Sequence, residues 1–475
     1  MKITVIGAGY VGLTSAVTLA YLGHQVTCMD TDLAKIDRLV RGEAPFYEPG
    51  LDELLAETAG SMRFTADYRP ALADARAVFL AVGTPQNANG SPDLSQYWKA
   101  VDMIMDCMDP AWAALLLVNK STVPVGTGDK LKKRLHFRGF GQRIEIGSNP
   151  EFLRQGSALV DNFFPSRLVL GGDNSARHTL LQIYRPLLNE PHLAPDYIRP
   201  PANFKKIEVF QVDIRTAELS KYAANAFLAM KISFINEMAN IAELVGADIT
   251  RVADVIGADP RIGRLFLNAG IGYGGSCFPK DTQALKYLAD VRGYDVTLLS
   301  AVIHVNNQQP YRLVTKLDQA LGGLEDKSIC LLGLTFKPET DDLREAPSLP
   351  IIQILVDSGA YVRVHDPIAL DKARGLLPQN VVCCSELEDA LQGADALAIL
   401  TEWPLYQRLD PLAVKKLMRG NVVVDGRNCL SPDLFAAHMQ YTGVGLNTSS
   451  QAKTSEASAQ DLYRGEYPLT YIAQS

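Results

Sequence analysis

The sequence lacks the features that mark several specialised classes of protein. Its seven cysteines form no CxxC pair and no regular spacing, which argues against a zinc site and a disulfide framework and fits a reducing compartment. The net charge is −7, so a nucleic-acid-binding surface is not expected. No apolar run is long enough to span a bilayer, and no signal peptide is visible. We therefore expect a cytoplasmic protein with no metal, nucleic-acid or membrane partner.

The N-terminal residues carry a dinucleotide-binding pattern. A β-rich run, Lys2 to Ile6, precedes the motif Gly7-Ala8-Gly9-Tyr10-Val11-Gly12, which opens an apolar helical pattern. A second β-rich run ends in Asp30, where an acid would accept hydrogen bonds from the adenosine ribose. A glycine turn in a structural βαβ unit is the alternative, but strand, glycines, helix and acid together favour nucleotide binding. Because Asp30 would repel a 2′-phosphate, the pattern predicts NAD rather than NADP.

Three later apolar runs end in polar loops that carry candidate site residues. These runs, Ala77 to Val82, Ala114 to Asn119 and Arg143 to Gly147, are predicted strands. In a parallel doubly wound sheet, the loops at the carboxyl ends of strands face the ligand crevice. These loops make Thr84, Thr122 and Glu151 candidates for cofactor and substrate contacts. For the two threonines, capping of the following helix is an alternative to ligand contact.

A long helix is predicted from about Asp213 to Val245. Glu218, Lys221 and Asn225 share one stripe of this helix because they are three and four residues apart. A solvated Glu218–Lys221 pair is the ordinary interpretation. The surrounding apolar sequence instead favours a buried polar stripe directed at an active site.

The glycine-rich loop from Gly272 to Asp281 contains the one cysteine with a reactive setting. Pro279 suits the first turn of a helix that continues to about Leu288, which places Cys277 at the helix N-terminus. The helix dipole and Lys280 are expected to favour the nucleophilic thiolate. The other six cysteines are interpreted as small buried hydrophobic residues.

From about Asp326 the βα alternation restarts without a dinucleotide glycine motif, so a different ligand is expected there. Lys337, Arg344 and Arg427 lie at or after strand ends, where cations could meet a phosphate, although each taken singly is typical of a solvated surface. The predicted fold is α/β, with two Rossmann-like doubly wound domains joined by a long central helix. The predicted division is 1–212, 213–310 and 311–446, followed by a flexible tail at 447–475.

An NAD site together with a reactive cysteine suggests oxidation through a covalent intermediate. Cysteine can add to an aldehyde, and hydride loss from the adduct gives a thioester that water hydrolyses to an acid. The expected chemistry is therefore alcohol to carboxylate, with two NAD consumed. A dehydrogenase that removes a single hydride beside a structural cysteine, and a catalytically silent nucleotide-binding module, are the alternatives.

The chain resembles the UDP-glucose 6-dehydrogenases, a branch of the UDP-glucose/GDP-mannose dehydrogenase family, over nearly its full length. The matching motifs occur in the family's order and include the Cys277 loop, Tyr47-Glu48-Pro49-Gly50-Leu51, Ala81-Val82-Gly83-Thr84-Pro85, Ser121-Thr122-Val123-Pro124-Val125-Gly126-Thr127, Asn149-Pro150-Glu151-Phe152-Leu153, Ala217 to Ala226, and Phe336-Lys337. The resemblance implies UDP-glucose as substrate and a homodimer or higher homo-oligomer. The same reaction on GDP-mannose or a UDP-N-acetylhexosamine is the nearest alternative.

The resemblance also implies roles for particular residues. Cys277 would carry the thiohemiacetal and thioester. Asp281 with a bound water would serve the first oxidation together with Lys221, and Lys221 and Asn225 would stabilise the oxyanion. Glu151 would activate the hydrolytic water, and Thr122 would position water. The implied NAD contacts are Gly7, Gly9, Tyr10, Val11, Gly12, Asp30, Lys35, Thr84, Thr122, Lys280 and Arg344. The implied substrate contacts are Glu151, Phe152, Leu153, Lys221, Asn225, Arg261 (from a neighbouring subunit), Phe266, Leu267, Asn268, Gly274, Gly275, Phe336, Lys337 and Arg427.

One residue departs from the family pattern. Many relatives have glutamate where this chain has Gln155. Because glutamine cannot act as a base, we expect Glu151 alone to serve thioester hydrolysis. The stretch from Pro186 to Phe210 also matches the family poorly and suggests no function.

Overall fold

The computed structural model describes residues 1–109, 111–190 and 193–446, so the predicted tail at 447–475 lies outside the described residues. Two β-sheets organise this part of the chain. The strands of the first sheet are β1 Lys2–Ile6, β2 Gln25–Met29, β3 Met62–Thr65, β4 Ala77–Leu80, β5 Leu115–Asn119, β6 Ile144–Ser148, β7 Arg167–Gly172 and β8 Glu208–Val212. The strands of the second sheet are β9 Ser328–Leu332, β10 Tyr361–His365, β11 Val382–Cys383, β12 Ala396–Ile399, β13 Val422–Asp425 and β14 Gln440–Gly443.

The first sheet has the strand order β3-β2-β1-β4-β5-β6-β7-β8. Its first six strands are parallel in the doubly wound order predicted from the sequence, with the order reversing beside β1. The β6–β7 pair is antiparallel, which the sequence pattern did not predict. The poorly matched stretch from Pro186 to Phe210 leads into β8, which pairs with β7 at the edge of this sheet.

Helices cover both faces of each sheet. In chain order they are α1 Tyr10–Tyr21, α2 Leu33–Val40, α3 Leu51–Thr58, α4 Tyr68–Leu72, α5 Ser95–Cys107, α6 Thr127–Phe137, α7 Ala158–Phe163, α8 Asn174–Asn189, α9 Ile214–Val245, α10 Ile249–Gly257, α11 Phe278–Asp290, α12 Thr297–Leu321, α13 Ser348–Asp357, α14 Leu370–Ala373, α15 Leu387–Leu391, α16 Pro411–Leu417 and α17 Pro432–Ala436. Strands β4 and β5 are buried along their whole length, as expected for central parallel strands with both faces covered. The α/β fold is therefore confirmed.

The second sheet repeats the doubly wound order of the first. Its strands run β11-β10-β9-β12-β13-β14, and all of its pairs are parallel. Asp366, directly after β10, accepts hydrogen bonds from the backbone N–H groups of Leu334 (2.8 Å) and Ala369 (2.8 Å). This carboxylate, at the position that Asp30 has in the first sheet, therefore holds the protein's own loops.

The chain divides into two compact units. The first comprises Met1–Met230, Gly274–Ile303 and Lys337–Glu345, and the second comprises Lys231–Tyr273, His304–Phe336 and the described residues from Ala346 onward. The 32-residue helix α9 contains the boundary at Met230. Among the described residues, no helix combines the length and the apolar character that crossing a membrane requires.

Candidate active site

The dinucleotide loop lies between β1 and α1, and its glycines serve different purposes. A Cβ atom on Gly12 would lie 1.8 Å from the Gly7 carbonyl oxygen, and Gly7 has φ +103°, so both positions require glycine for the turn. A Cβ atom on Gly9 would meet nothing within 4 Å. Gly9 precedes the first turn of α1 without any side-chain cap. Its open space beside free helix N–H groups fits a pyrophosphate, so these residues fit a bound NAD.

Asp30 lies directly after β2, and its carboxylate contacts the dinucleotide loop at Ala8. It accepts hydrogen bonds from the Ala8 amide at 2.8 Å and the Asp32 amide at 3.0 Å, and it pairs with Lys35 at 2.9 Å. Burial acts to raise the pKa of Asp30, but these hydrogen bonds outweigh burial and the pKa lies below its usual value. The carboxylate therefore stays charged and can accept hydrogen bonds from ribose hydroxyls.

Thr84 and Thr122 follow β4 and β5, and neither caps a helix. The N-cap of α5 is Leu94 and that of α6 is Gly126, so the capping alternative is wrong. The Thr84 hydroxyl instead donates to the Thr122 carbonyl oxygen at 2.9 Å. The two predicted ligand contacts therefore lie side by side at the carboxyl ends of adjacent strands.

Glu151 and Lys221 form a buried ion pair. Their charged atoms are 2.9 Å apart, and the side chains are 5% and 4% exposed. Glu151 also accepts a hydrogen bond from the Leu153 amide at 2.6 Å, and Lys221 Nζ lies 5.4 Å from the centre of the Phe152 ring. Burial opposes the charge on both groups, but their mutual attraction raises the pKa of Lys221 and lowers that of Glu151. Both side chains are therefore ionised at neutral pH.

A second buried group joins α9 to α11. Asn225 Nδ2 donates to Asp281 Oδ2 at 2.6 Å, and Lys280 pairs with the other oxygen of Asp281. Asp281 is completely buried. Because the Asp281 carboxylate is held by an amide and an ammonium, it remains fixed opposite the side chains of α9.

Cys277 is the N-cap residue of α11, as the sequence predicted within one residue, but its electrostatic setting differs from the prediction. Burial raises the pKa of the Cys277 thiol, and the negative charge of Glu151 raises it further. The charges of Lys221 and Lys280 act in the opposite direction and do not compensate. The prediction that the helix terminus and Lys280 favour thiolate is therefore wrong for the ligand-free protein, because the sequence does not reveal burial.

The predicted polar stripe of α9 is buried, but its three members have separate partners. Glu218 accepts hydrogen bonds from the Gly126 amide at 2.6 Å and the Gly128 amide at 2.8 Å, and thereby caps α6. Lys221 pairs with Glu151 and Asn225 with Asp281. The interpretation of Glu218 and Lys221 as a solvated pair is therefore wrong, and Glu218 is not directed at Cys277.

The strap, residues 337–345, belongs to the first unit although it follows β9 in the chain. Lys337 Nζ donates to the Gln155 carbonyl oxygen, and the Tyr10 hydroxyl donates to Asp341. The Gly275 amide donates to the Arg344 carbonyl oxygen at 2.9 Å. The strap thus brings two predicted ligand contacts, Lys337 and Arg344, to the unit that carries Cys277, and it contacts a third, Tyr10.

Sequence reasoning missed Lys120, which lies directly after β5. Its ammonium donates to Asn149 Oδ1 at 2.9 Å, and the side chain is buried. Burial lowers the pKa of Lys120 to about 8, although the nearby charge of Glu151 opposes this shift. The sequence did offer a signal for Lys120, because a lysine directly after an apolar strand lies in a loop that was already predicted to face the ligand crevice.

Six predicted substrate contacts lie in the second unit, namely Arg261, Phe266, Leu267, Asn268, Phe336 and Arg427, whereas Gly274 and Gly275 lie in the first. The Arg427 guanidinium donates to the carbonyl oxygens of Leu400 (2.8 Å), Gly272 (3.3 Å) and Phe336 (3.3 Å). Leu267 is buried, and Asn268 accepts a hydrogen bond from Arg264 at 2.7 Å. Phe266 has φ +65°. Arg261 is 87% exposed and pairs with Asp259.

Comparison with known proteins gives matches over almost the whole chain. Sequence models of the UDP-glucose/GDP-mannose dehydrogenase family match its NAD binding domain at residues 1–188, its central domain at 215–308 and its UDP binding domain at 330–432. The UDP-glucose 6-dehydrogenase YwqF of Bacillus subtilis is 45% identical over 450 residues, which is 94% of this chain and 98% of that protein.

Two solved structures extend the comparison to the fold. A UDP-glucose dehydrogenase from Pyrobaculum islandicum superimposes with a TM-score of 0.84 at 38% identity, over 94% of this chain and 98% of that one. A UDP-D-ManNAc dehydrogenase from Pyrococcus horikoshii gives a TM-score of 0.80 at 26% identity, over 94% and 99% of the two chains.

Proposed function

The chain belongs to the UDP-glucose/GDP-mannose dehydrogenase family, and on that premise we propose that it oxidises the C6 alcohol of UDP-glucose to the carboxylate of UDP-glucuronate. The observation that carries this proposal is the setting of Cys277. One thiol in the NAD-binding unit is subject to the charges of the pairs Lys221–Glu151 and Lys280–Asp281. This arrangement offers a nucleophile, an oxyanion partner and two carboxylate bases in one buried site.

In the first oxidation, the substrate hydroxyl loses its proton and C6 loses a hydride. Asp281, through a water molecule, accepts the proton. Lys221 is not the base, because the Glu151 carboxylate holds its pKa above the usual value. Its ammonium and the Asn225 amide stabilise the oxygen that develops negative charge. When bound, NAD⁺ would supply the hydride acceptor, with one NAD⁺ converted to NADH in each of the two oxidations.

In the second oxidation, Cys277 holds the aldehyde. The thiol adds across the carbonyl group, with an S–C bond formed and the thiol proton passed to the oxygen, so no free thiolate accumulates. Loss of a hydride from the same carbon and of the hydroxyl proton then gives a thioester on Cys277. This order of steps suits a thiol whose pKa is raised in the ligand-free protein.

Hydrolysis of the thioester uses Glu151 as the general base. The carboxylate stays ionised because Lys221 and the Leu153 amide lower its pKa, so it can take a proton from the attacking water. The C–S bond breaks, the sulfur leaves with the electron pair and takes up the proton that Glu151 removed from the water, and the Cys277 thiol is restored. Thr122, at the carboxyl end of β5, positions water, and Gln155 takes no part as a base.

The second unit is proposed to hold the nucleotide. The family's UDP binding domain matches residues 330–432, which include Phe336 and Arg427 of the second unit and Lys337 of the strap. Part-buried Arg427 donates hydrogen bonds to the carbonyl oxygens of Gly272 and Phe336 and can offer cationic charge to a diphosphate. Phe266, Leu267 and Asn268 complete the proposed contacts of the second unit, and Gly274 and Gly275 those of the Cys277 loop.

A second candidate substrate is a UDP-N-acetylhexosamine, which the similarity to the Pyrococcus horikoshii enzyme favours. The higher identity to proteins named for UDP-glucose, 45% against 26%, decides for UDP-glucose. The test is to count NADH formed per sugar nucleotide with UDP-glucose, GDP-mannose and UDP-N-acetylmannosamine. We expect two NADH per UDP-glucose and slower turnover of the others. One NADH would support a dehydrogenase that removes a single hydride, and none would support a silent module.

A homodimer is also part of the proposal. Phe227, Phe234 and Ile241 recur every seven residues along α9 and are exposed, although large apolar side chains on one helix stripe are normally covered. A second copy of the chain would cover them, and Arg261 would then be available to a neighbouring site. F234D is expected to convert a dimer to a monomer in sedimentation experiments, and an unchanged mass would contradict this.

The domain division at 1–212, 213–310 and 311–446 and a cytoplasmic location complete the proposal. Seven cysteines, all of them free thiols, support the location. Residue 310 lies inside helix α12, so limited proteolysis tests the boundary near residue 212, between β8 and α9, where a cut would support the division. The location is tested by cell fractionation of the protein fused to a tag whose signal reports whether disulfides form in its compartment.

A further inference from the structure

Gln155 links the loop after β6 to the strap and to the Cys277 loop. Its Nε2 lies 2.9 Å from Asp342 Oδ2 and 3.5 Å from Ser276 Oγ, and its Oε1 lies 3.2 Å from Thr340 Oγ1. Ser276 Oγ in turn lies 3.7 Å from Cys277 Sγ. A continuous series of polar contacts therefore leads from the strap to the sulfur of the proposed nucleophile.

The neighbours of Gln155 fix the direction of its amide. Asp342 is half of an ion pair with Arg344, at 2.8 and 2.7 Å. Burial acts to raise the pKa of Asp342, but the hydrogen bonds from Arg344 lower it, so this carboxylate only accepts hydrogen bonds. The NH₂ group of Gln155 must therefore face Asp342, and its carbonyl oxygen faces the hydroxyl of Thr340.

This direction determines how the Ser276 hydroxyl is used. An NH₂ group has two protons, and with one given to Asp342 the other points to Ser276 Oγ, which accepts it. The hydroxyl proton of Ser276 is then free to point at Cys277 Sγ. A hydrogen bond donated to a sulfur stabilises its anionic form more than its neutral form.

We propose that Gln155 is a positioning residue that, through Ser276, directs a hydroxyl proton at the Cys277 sulfur and so assists each step in which that sulfur carries negative charge. The proposal rests on the role of Cys277 given above. A carboxylate at position 155 could not fill this role, because it would accept the Ser276 hydroxyl proton and turn that proton away from the sulfur.

The test measures the thiol in the ligand-free protein, so it does not depend on any substrate being turned over. The charged groups that act on this thiol are present in every variant and are Glu151, Lys221, Lys280, Asp281 and Arg344. The rate of Cys277 alkylation by iodoacetamide, followed by peptide mass spectrometry against pH, gives the apparent pKa. The variants are Q155M, which keeps the side-chain length, S276A, and the double variant.

We expect Q155M and S276A each to raise the apparent pKa of Cys277 by about half a unit to one unit. We expect the double variant to match S276A, because Gln155 acts through Ser276. The matched control is Q353M, which removes an exposed glutamine amide that donates to Asp357 at 2.7 Å in the second unit, and it should leave the pKa unchanged.

Two results would overturn the proposal. The first is an S276A protein with the wild-type thiol pKa, and this outcome stands even if Q155M does not fold. The second is a Q155M shift that persists in full in the S276A background. A failure of the proposed catalytic function appears separately, as two NADH formed by a C277S variant.

Discussion

Lys221 Nζ lies 2.9 Å from Glu151 Oε1, with both side chains almost completely buried. The pair fixes which of the two can act as a base. Lys221 remains an ammonium ion and Glu151 remains a carboxylate at neutral pH, because each lowers the cost of charging the other in their buried position. The same pair couples the stability of the first unit to the reactivity of Cys277.

Removing one partner of this pair is expected to be costly. K221M leaves Glu151 buried without its ion-pair partner and should lower the free energy of unfolding by about 3–5 kcal/mol. The control K286M removes an exposed pair with Asp290 at 2.7 Å and should cost no more than about 0.5 kcal/mol. Urea unfolding followed by circular dichroism measures both. Equal losses for the two variants would contradict the buried-pair account.

The alkylation of Cys277 should depend on pH in a way that reflects its carboxylate neighbour. Since burial and Glu151 raise the thiol pKa, the rate with iodoacetamide should keep rising to a pH above the usual midpoint of a cysteine. E151Q removes one negative charge and should move the midpoint to lower pH, whereas K221M should move it higher. A wild-type midpoint well below the usual cysteine value would restore the thiolate prediction and refute burial as the dominant cause.

Two glycines of the dinucleotide loop should respond differently to alanine. G9A adds a methyl group to open space, so it should leave the melting temperature nearly unchanged and abolish measurable NAD binding. G12A places Cβ at 1.8 Å from the Gly7 carbonyl oxygen and should destabilise the fold by about 1–3 kcal/mol or more. Calorimetric titration with NAD and thermal unfolding separate the two. NAD binding by G9A at wild-type affinity would show that the pyrophosphate of NAD does not bind at this loop.

Asp30 is expected to select the cofactor. D30N loses a charged acceptor for the ribose hydroxyls, and binding of NAD should weaken by roughly 10- to 100-fold, the equivalent of one lost hydrogen bond to a charged group. Binding of NADP should weaken less, because the repulsion of its phosphate is also removed. D371N, at an exposed position of the second unit, is the control. An unchanged NAD-to-NADP preference in D30N would show that another residue makes the selection.

Much of the fold could be predicted because its signals are local. The strand, glycine loop, helix and acid of residues 2–30 follow one another in the sequence. The antiparallel β6–β7 pair was missed because an apolar strand has the same composition in either direction.

The site was less predictable wherever its partners are distant in sequence. Gln155 meets Asp342 across 187 residues, and Glu218 caps α6 across 92 and 90 residues, so no local spacing connects them. The thiolate prediction for Cys277 used the helix terminus, which is local, and missed burial, which is set by the whole unit. The sequence therefore allowed candidate reactive residues to be named, but it did not reveal their burial or their partners.

The most direct test of the account is to look for the acyl group on Cys277. In E151Q, hydrolysis should slow while both oxidations continue, so mixing with UDP-glucose and NAD should give two NADH and a thioester that intact-mass and peptide mass spectrometry locate on Cys277. C277S serves as the control and should carry no adduct. E151Q that turns over at the wild-type rate with no mass increase on Cys277 would contradict both the covalent intermediate and the role of Glu151 in releasing it.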